Sequence, residues 1–467
     1  MLNFKKISWE DAPVLRSYYE NCDYILCEYS VGTKLMWNNT LNPEWTEAAG
    51  CLIVKSTFMK HTVFDYPVAG PEGDVDAALL LIERYCMDKG VPLALSVVPE
   101  IEGQHLIHRY PYVNVSAVRT WKDYVYESEK MQNFAGRRYS GQRNHIKKFK
   151  TAYPDAAFRE ITPADHRILT RFWYDYQSEF KKSDDPKAVD ELNYAKQLFG
   201  ILDTGYFRAG GFFIGDKLIS LALAEKCGNT LIIHIEKALY SYEGVYPAMV
   251  QAFAQMFGKD VLYLNREDDA ADRGLRTSKT QYRPAFLANK YAFEPRNDLA
   301  QTTDEIPTIT TERLTLDEIG EGDIPAYNEL VLDRERNVWW GYDDIAGLGG
   351  PVKEDSFYQV AKRDFAKKYA INFAVRLDGR MIGEAVLYDF DYRGGAELGC
   401  RILKEYAGNG YGTEAFAAVA NWALYSIHMT RVIAKCFKEN DASFKMLSSC
   451  MRKISQDDTF YYFEKTV

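Results

Sequence analysis

Residues 397–415, Glu-Leu-Gly-Cys-Arg-Ile-Leu-Lys-Glu-Tyr-Ala-Gly-Asn-Gly-Tyr-Gly-Thr-Glu-Ala, combine residue types that can hold an anion. Glu397 to Leu403 alternates apolar Leu398, Cys400 and Ile402 with Gly399 and Arg401, which predicts a strand. Glycines follow at alternate positions, Gly408, Gly410 and Gly412. From Thr413 the stripe Phe416, Val419, Ala420 and Ala423 predicts a helix. A strand, a turn of bare backbone and a helix N-terminus bring N–H groups and a positive dipole end to one point, which suits a diphosphate. A tight strand-to-helix turn without a ligand would need the same small residues. Neither Gly-x4-Gly-Lys-Ser/Thr nor Gly-x-Gly-x-x-Gly is present, so the two common nucleotide loops are excluded.

A second group of candidates lies upstream. His234 and Glu236 alternate along the apolar run Leu231 to Ala238, and Asn265 and Glu267, flanking Arg266, follow Tyr263-Leu264. Alternation puts each pair on one strand face. Charges at such positions need a paired network or a ligand if they point inward. Arg276 and Lys279, three apart on the next predicted helix, share one side of it. The seven residues are expected to line one cleft. Between Lys130 and Pro154 stand seven Lys or Arg and no acid, most of them within 137–150. That run is either a solvated basic helix or a contact for a polyanion such as transfer RNA.

The elements that position these residues repeat. Phe4 to Asp11, Phe158 to Asp165 and Leu314 to Asp323 share one plan, a short strand, a polar turn and an acid before an amphipathic helix. Two glycine-containing hairpins, around 212–222 and 373–385, support the same alignment. The chain therefore reads as three consecutive α/β (α+β) modules, each a mixed, mostly antiparallel sheet flanked by helices. The boundaries fall at 1–130, 131–295, a polar linker over 296–308, and 309–467. In the first module the counterpart of the glycine turn, Pro67 to Asp74, carries two prolines and two acids, which do not suit an anion.

A net charge of −9 argues against general nucleic-acid binding, and 47% hydrophobic content is enough for several cores. The eight cysteines form no Cys-x-x-Cys pair and sit mostly in apolar runs, so free buried thiols and no metal are expected. With no apolar signal core and no 18-residue apolar window, the sequence suggests a cytoplasmic protein without a membrane partner.

The glycine turn resembles the coenzyme A loop of the GNAT acetyltransferases, whose pattern Gln/Arg-x-x-Gly-x-Gly/Ala falls on Ala407 to Gly412. Ala407 replaces the usual long polar first residue. Gly-Tyr-Gly-Thr-Glu-Ala, and Thr311 to Leu316 as a first strand, are similar to the ribosomal-protein N-terminal acetyltransferase subgroup. The resemblance implies acetyl-CoA as co-substrate and no metal. Its binding residues would be Arg401, Ile402, Leu403, Ala407, Gly408, Asn409, Gly410, Tyr411, Gly412, Thr413 and Asn440. Asn440 also reads as a helix N-cap. Acylation of an amine then assigns Glu397 as base through water and Ser443 as the group that polarises the thioester or protonates the thiolate. A backbone N–H near Arg401 or Ile402 would serve the oxyanion. Trp339 and Trp340, in Asn337 to Tyr342, would wall the acceptor cleft or plug a core. The last helix, which ends in Leu-Gly-Phe in that subgroup, reads Leu447-Ser-Ser-Cys-Met-Arg452 here.

Residues 1 to about 295 resemble the bacterial family related to the C-terminal domain of phosphatidylglycerol lysyltransferase. The shared strings are Arg-Asn-His-Ile, His-Ile-Glu-Lys-Ala, Asn-Arg-Glu-Asp-Asp and Gly-Leu-Arg-x-x-Lys-x-x-Tyr-x-Pro. That resemblance implies two fused GNAT-like folds. Two function classes follow. One is acetyl-CoA-dependent N-acyl transfer to a small-molecule or peptide amine, with the N-terminal pair selecting the acceptor. The other is aminoacyl transfer or transfer-RNA binding through the N-terminal pair. The sequence leaves the acceptor and the oligomeric state open.

Overall fold

Three mixed, mostly antiparallel sheets flanked by helices carry the chain. The computed structural model describes residues 2–179, 186–200, 202–296, 303–341, 344–348 and 350–467. The middle of the expected linker, 297–302, and Tyr342 lie outside the described residues. Contacts divide the chain into two compact units, Met1–Leu106 with Asn114–Glu294, and Ile107–Val113 with Pro295–Val467.

The labels used below are α1 (Val31–Met36), β1 (Asp123–Glu127), α2 (Ser140–Ala152), β2 (Lys217–Cys227), β3 (Thr230–Ala238), β4 (Tyr263–Asn265), α3 (Arg273–Gln281) and β5 (Tyr291–Pro295) in the first unit. In the second they are β6 (Ala370–Leu377), β7 (Arg380–Tyr388), β8 (Gly395–Ile402), α4 (Tyr411–Tyr425), β9 (Arg431–Phe437), α5 (Asp441–Cys450) and β10 (Phe460–Thr466).

The repeated acids have a common structural role. Asp11, Asp165 and Asp323 each accept the backbone N–H three residues earlier, from Ser8, Thr162 and Gly320, at 2.9, 2.9 and 2.8 Å. Each also pairs with a base, Lys5, Arg159 or Arg376. The charge closes the first turn before a helix and ties it to a neighbouring strand. Each sheet contains a parallel pair spanned by a helix: His61–Asp65 with Leu95–Val98, β3 with β4, and β8 with β9. The spanning helices are Val75–Lys89, Val245–Phe257 and α4.

In the first unit the two halves exchange strands. β1, early in the chain, runs antiparallel to β4 in the second sheet, and β5, late in the chain, runs antiparallel to Leu95–Val98 in the first. One buried cluster from Ile7 to Ala288 follows from that exchange. The second unit has its own core between its sheet and α4, centred on Phe373, Leu387, Phe416, Val419 and Phe463. Among the described residues no helix is long and apolar enough to cross a membrane, and all eight cysteines are free thiols.

Candidate functional site

In the second unit, β8 and β9 pair in parallel only over Gly395–Glu397 and Arg431–Ile433. Beyond Glu397 they part, while the other edge of β8 stays on β7 as far as Ile402. One edge of β8 is thus left without a strand partner, with its N–H and C=O groups open to a ligand. The glycine turn lies at the end of β8, and Asn440 and α5 lie at the end of β9. Between them opens a cavity of about 710 Å³ lined by Cys400, Arg401, Ile402, Ala407, Gly408, Gly410 to Thr413, Asn440 and Ser443. Leu403 is buried in a neighbouring cluster and Asn409 is exposed, its side chain donating to Tyr406 O and Ala407 O.

Gly408 and Gly410 stand at φ +82° and +80°, where a side chain is strained, and Gly410 caps α4 with no side-chain hydrogen bond. The helix begins at Tyr411, two residues before the sequence pattern turns helical. Glu414 anchors the turn by accepting from Thr311 Oγ1 at 2.6 Å and from Arg313 N and Nε at 2.9 and 2.7 Å. Although partial burial opposes it, these donors hold the Glu414 carboxyl below the ordinary range. Arg313 also donates to Asn409 O at 3.0 Å and packs over Tyr411. Asn440 Oδ1 accepts Ser443 N at 3.1 Å, which is the expected cap.

A second cavity of about 620 Å³ shares Trp339, Trp340, Cys400, Arg401, Ser443 and Met446 with the first, so the two adjoin along these residues. The Arg401 side chain is held internally. It contacts Glu384 at 2.8 Å, Asp344 at 3.0 Å and Asn337 at 3.1 Å, and lies over Trp340. Tyr327 and Asn372 donate to the other oxygen of Glu384. Arg401 therefore shapes the wall with its side chain, while its backbone is on the β7 side of the strand and that of Cys400 and Ile402 faces the open edge. Glu397 accepts from Tyr388 Oη at 2.6 Å and from Lys435 Nζ at 3.2 Å. Trp339 is half-exposed against Phe437, at 5.7 Å between ring centroids. Burial pushes the Cys400 thiol up to about 12, leaving it an inert part of the wall.

In the first unit the seven upstream candidates come together, but they are spent on internal partners. His234 is enclosed, with Nδ1 2.9 Å from Glu267 and Nε2 3.3 Å from Glu225. Burial alone would lower its pKa, but hydrogen bonds to Glu225 and Glu267 outweigh burial and raise it to about 9. Glu225 also accepts Val31 N and Gly32 N at 2.9 and 2.6 Å, fixing the start of α1. Glu267 is held at φ +56° with its N–H on Asn265 Oδ1. Arg266 is buried with Glu236 at 2.6 Å and stacks on Tyr282, its Nη1 having no hydrogen-bond partner among the described residues. Arg276 pairs with Asp269 at 2.9 Å. Lys279 donates to the carbonyls of Arg266 and Asp268, and burial depresses its pKa.

Asn265 continues the network to Asp123 at 2.8 Å. Cys27, Glu28 and Asp123 stand close enough to ligate a metal ion. Lys290 Nζ, however, lies 2.7 Å from both acids and 3.3 Å from the sulfur, so an ammonium already fills that centre. The basic run forms an exposed face on and before α2, which buries only Ile146 and Phe149.

Sequence reasoning missed Arg313, Glu384, Asp389, Glu225 and Lys290. Glu225 and Glu384 carried a signal, a lone carboxylate within an apolar strand. Arg313 and Lys290 depend on partners distant in sequence, and Asp389 is an exposed acid that only the fold brings to the second cavity.

Residues 23–294 match the family model described as phosphatidylglycerol lysyltransferase, C-terminal, and residues 313–450 match the acetyltransferase (GNAT) domain. An uncharacterized protein of Mycoplasmoides gallisepticum is 23% identical over 171 residues, covering 36% of this chain and 54% of that protein, so the chain spans about half of that relative's length. An uncharacterized N-acetyltransferase of Bacillus subtilis, YnaD, is 28% identical over 139 residues, 30% of this chain and 78% of its own. A solved structure of a conserved protein of unknown function from Bacteroides thetaiotaomicron shares the fold, with TM-score 0.59 and 21% identity over 63% of this chain and 99% of its own. The chain belongs to the family of the phosphatidylglycerol lysyltransferase C-terminal domain, and its second unit is a GNAT acetyltransferase domain.

Proposed function

We propose that the second unit is an acetyl-CoA-dependent N-acetyltransferase acting on an amine, and that the first unit binds or selects the acceptor. One observation carries this reading: β8 and β9 part after Glu397, beside a glycine turn and an uncapped helix start. The diphosphate would rest on N–H groups at Gly408 to Gly412 and the dipole of α4. The amide-bearing arm would lie along the free edge of β8, bonding as an added strand does. Its thioester would then reach Ser443, where the two cavities meet. Ser443 Oγ would donate to the carbonyl oxygen or the departing sulfur, and a backbone N–H of β8 would hold developing negative charge. Holding both reactants in joined cavities supplies much of the rate.

Calorimetric titration of acetyl-CoA into the full chain tests the reading. Gly410→Val should weaken binding by about 1–3 kcal/mol, because the turn's N–H contacts are lost. Equal affinity in the variant would refute the site.

The exposed cations of α2 favour a second reading, that the first unit contacts transfer RNA. Arg137, Arg138, Lys147, Lys148 and Lys150 stand on or just before it with no acid among them. Binding would weaken steeply with salt as counterions are released. Absence of transfer-RNA binding at low salt would remove this reading.

A further inference from the structure

Five carboxylates face the second cavity, and their partners distinguish them. Asp344 and Glu384 are held by Arg401. Asp364 pairs with Arg363 at 2.8 Å. Glu397 has one oxygen on Tyr388 Oη and the other on Lys435 Nζ. The fifth, Asp389, follows β7 directly and makes no hydrogen bond or ion pair among the described residues. We propose that Asp389 is the proton acceptor for a cationic primary amine bound in this cavity, with Glu397 as a positioning residue. This rests on the acyl-transfer reading and goes beyond it in naming the base and the charge of the acceptor.

The placement follows from strand register. Tyr388 pairs with Glu397 across β7 and β8, and Glu397 pairs with Ile433, two residues before Lys435 on β9. Tyr388, Glu397 and Lys435 therefore form one small group at the point where the strands part. Asp389 is the next residue and breaks the strand at φ +50°, a left-handed conformation that Asp and Asn tolerate better than other side chains. Such strained positions gather at working sites. The charged and titratable groups facing Asp389 are Tyr388 and Glu397 from β7 and β8, and Lys435 from β9.

Asp389 keeps a solvent-exposed side chain at the mouth of the cavity, yet partial burial of its carboxyl and repulsion from Glu397 together outweigh Lys435, so it titrates above the ordinary range. A raised pKa makes a better base. Glu397, saturated with two donors, has no such freedom. Trp339, Phe437 and Phe460 wall the same cavity, and aromatic walls suit a cation. An acceptor amine enters as R–NH3+. One proton passes to the Asp389 carboxylate, which becomes neutral, and R–NH2 gains a free electron pair. That nitrogen bonds to the thioester carbonyl carbon as the carbon–sulfur bond breaks, and its second proton leaves on the thiol.

The test uses the full chain with Asp389→Asn, which keeps a side chain suited to left-handed backbone, beside Glu397→Gln. Thiol release from acetyl-CoA is followed against pH with ethylamine and 1,4-diaminobutane, and side-chain carboxyls are titrated by carbon-detected NMR. Asp389→Asn should lower kcat by about 100-fold and abolish the carboxylate limb of the pH profile. Acetyl-CoA affinity should stay within about twofold, since the base does not touch the coenzyme. Glu397→Gln should raise KM for the amine and retain the limb. The carboxyl resonance missing from Asp389→Asn should titrate above the ordinary value of about 3.9. An intact limb in Asp389→Asn, a resonance at or below the ordinary value, or no thiol release from either amine while acetyl-CoA binds would overturn the assignment. Failure of acetyl-CoA to bind would count against acyl transfer itself.

Discussion

Replacing His234 by Gln removes a cation enclosed between Glu225 and Glu267, at 3.3 and 2.9 Å. Burial favours the neutral ring, but the two acids outweigh it and hold the folded pKa near 9, against 6.5 for an ordinary histidine. Because the folded pKa is the higher one, the native state binds the proton more tightly. The stabilisation is complete below pH 6.5 and is lost as pH rises through 9. The difference, 9 − 6.5, corresponds to about 3 kcal/mol. His234 is fully buried, so solvent screening does not reduce this figure. The assay is urea unfolding of the full chain, read by hydrogen-exchange protection of residues 31–36 and 230–238 and corrected for the intrinsic rate at each pH. The stability gap between wild type and His234→Gln should shrink by about 3 kcal/mol between about pH 6 and about pH 10. A gap independent of pH, or one that widens with pH, would refute the doubly paired imidazolium.

Three further outcomes follow from the same contacts. Gly32→Ala places a Cβ 2.3 Å from His234 Nε2, and since the ring is held on both sides the variant should lose about 1–3 kcal/mol in urea melts. Arg401→Met should cost about 3–5 kcal/mol because Glu384 and Asp344 lose their cation, and adding Glu384→Leu should recover part of the loss rather than add to it. Ser443→Ala should lower kcat by about 10-fold with acetyl-CoA affinity unchanged in calorimetry, since its hydroxyl acts on developing charge.

The strand, glycine turn and helix of the second unit were legible because each is a local pattern. Leu398, Cys400 and Ile402 alternate, Gly408 and Gly410 occupy positive φ, and Asn440 caps α5. The repeated acids were legible for the same reason, since Asp11, Asp165 and Asp323 bond to backbone three residues away. The roles of the upstream charges were not. His234 and Glu236 do lie on one strand, but their roles depend on Glu225, Glu267 and Arg266, which only the folded sheet brings near. Lys290 meets Cys27 across 263 positions of sequence, and β1 and β5 trade sheets, neither of which any periodicity reveals. Glu397 was legible as an acid at the start of a strand, whereas its two donors and the unpaired Asp389 were visible only in three dimensions.

The central claim is that the coenzyme lies where β8 and β9 part. Hydrogen exchange of the full chain with and without saturating acetyl-CoA tests it most directly. The account predicts slowed exchange in residues 399–402, 408–413 and 440–443, with residues 2–294 unchanged. Protection confined to residues 2–294, or none at the glycine turn while acetyl-CoA is bound, would contradict it.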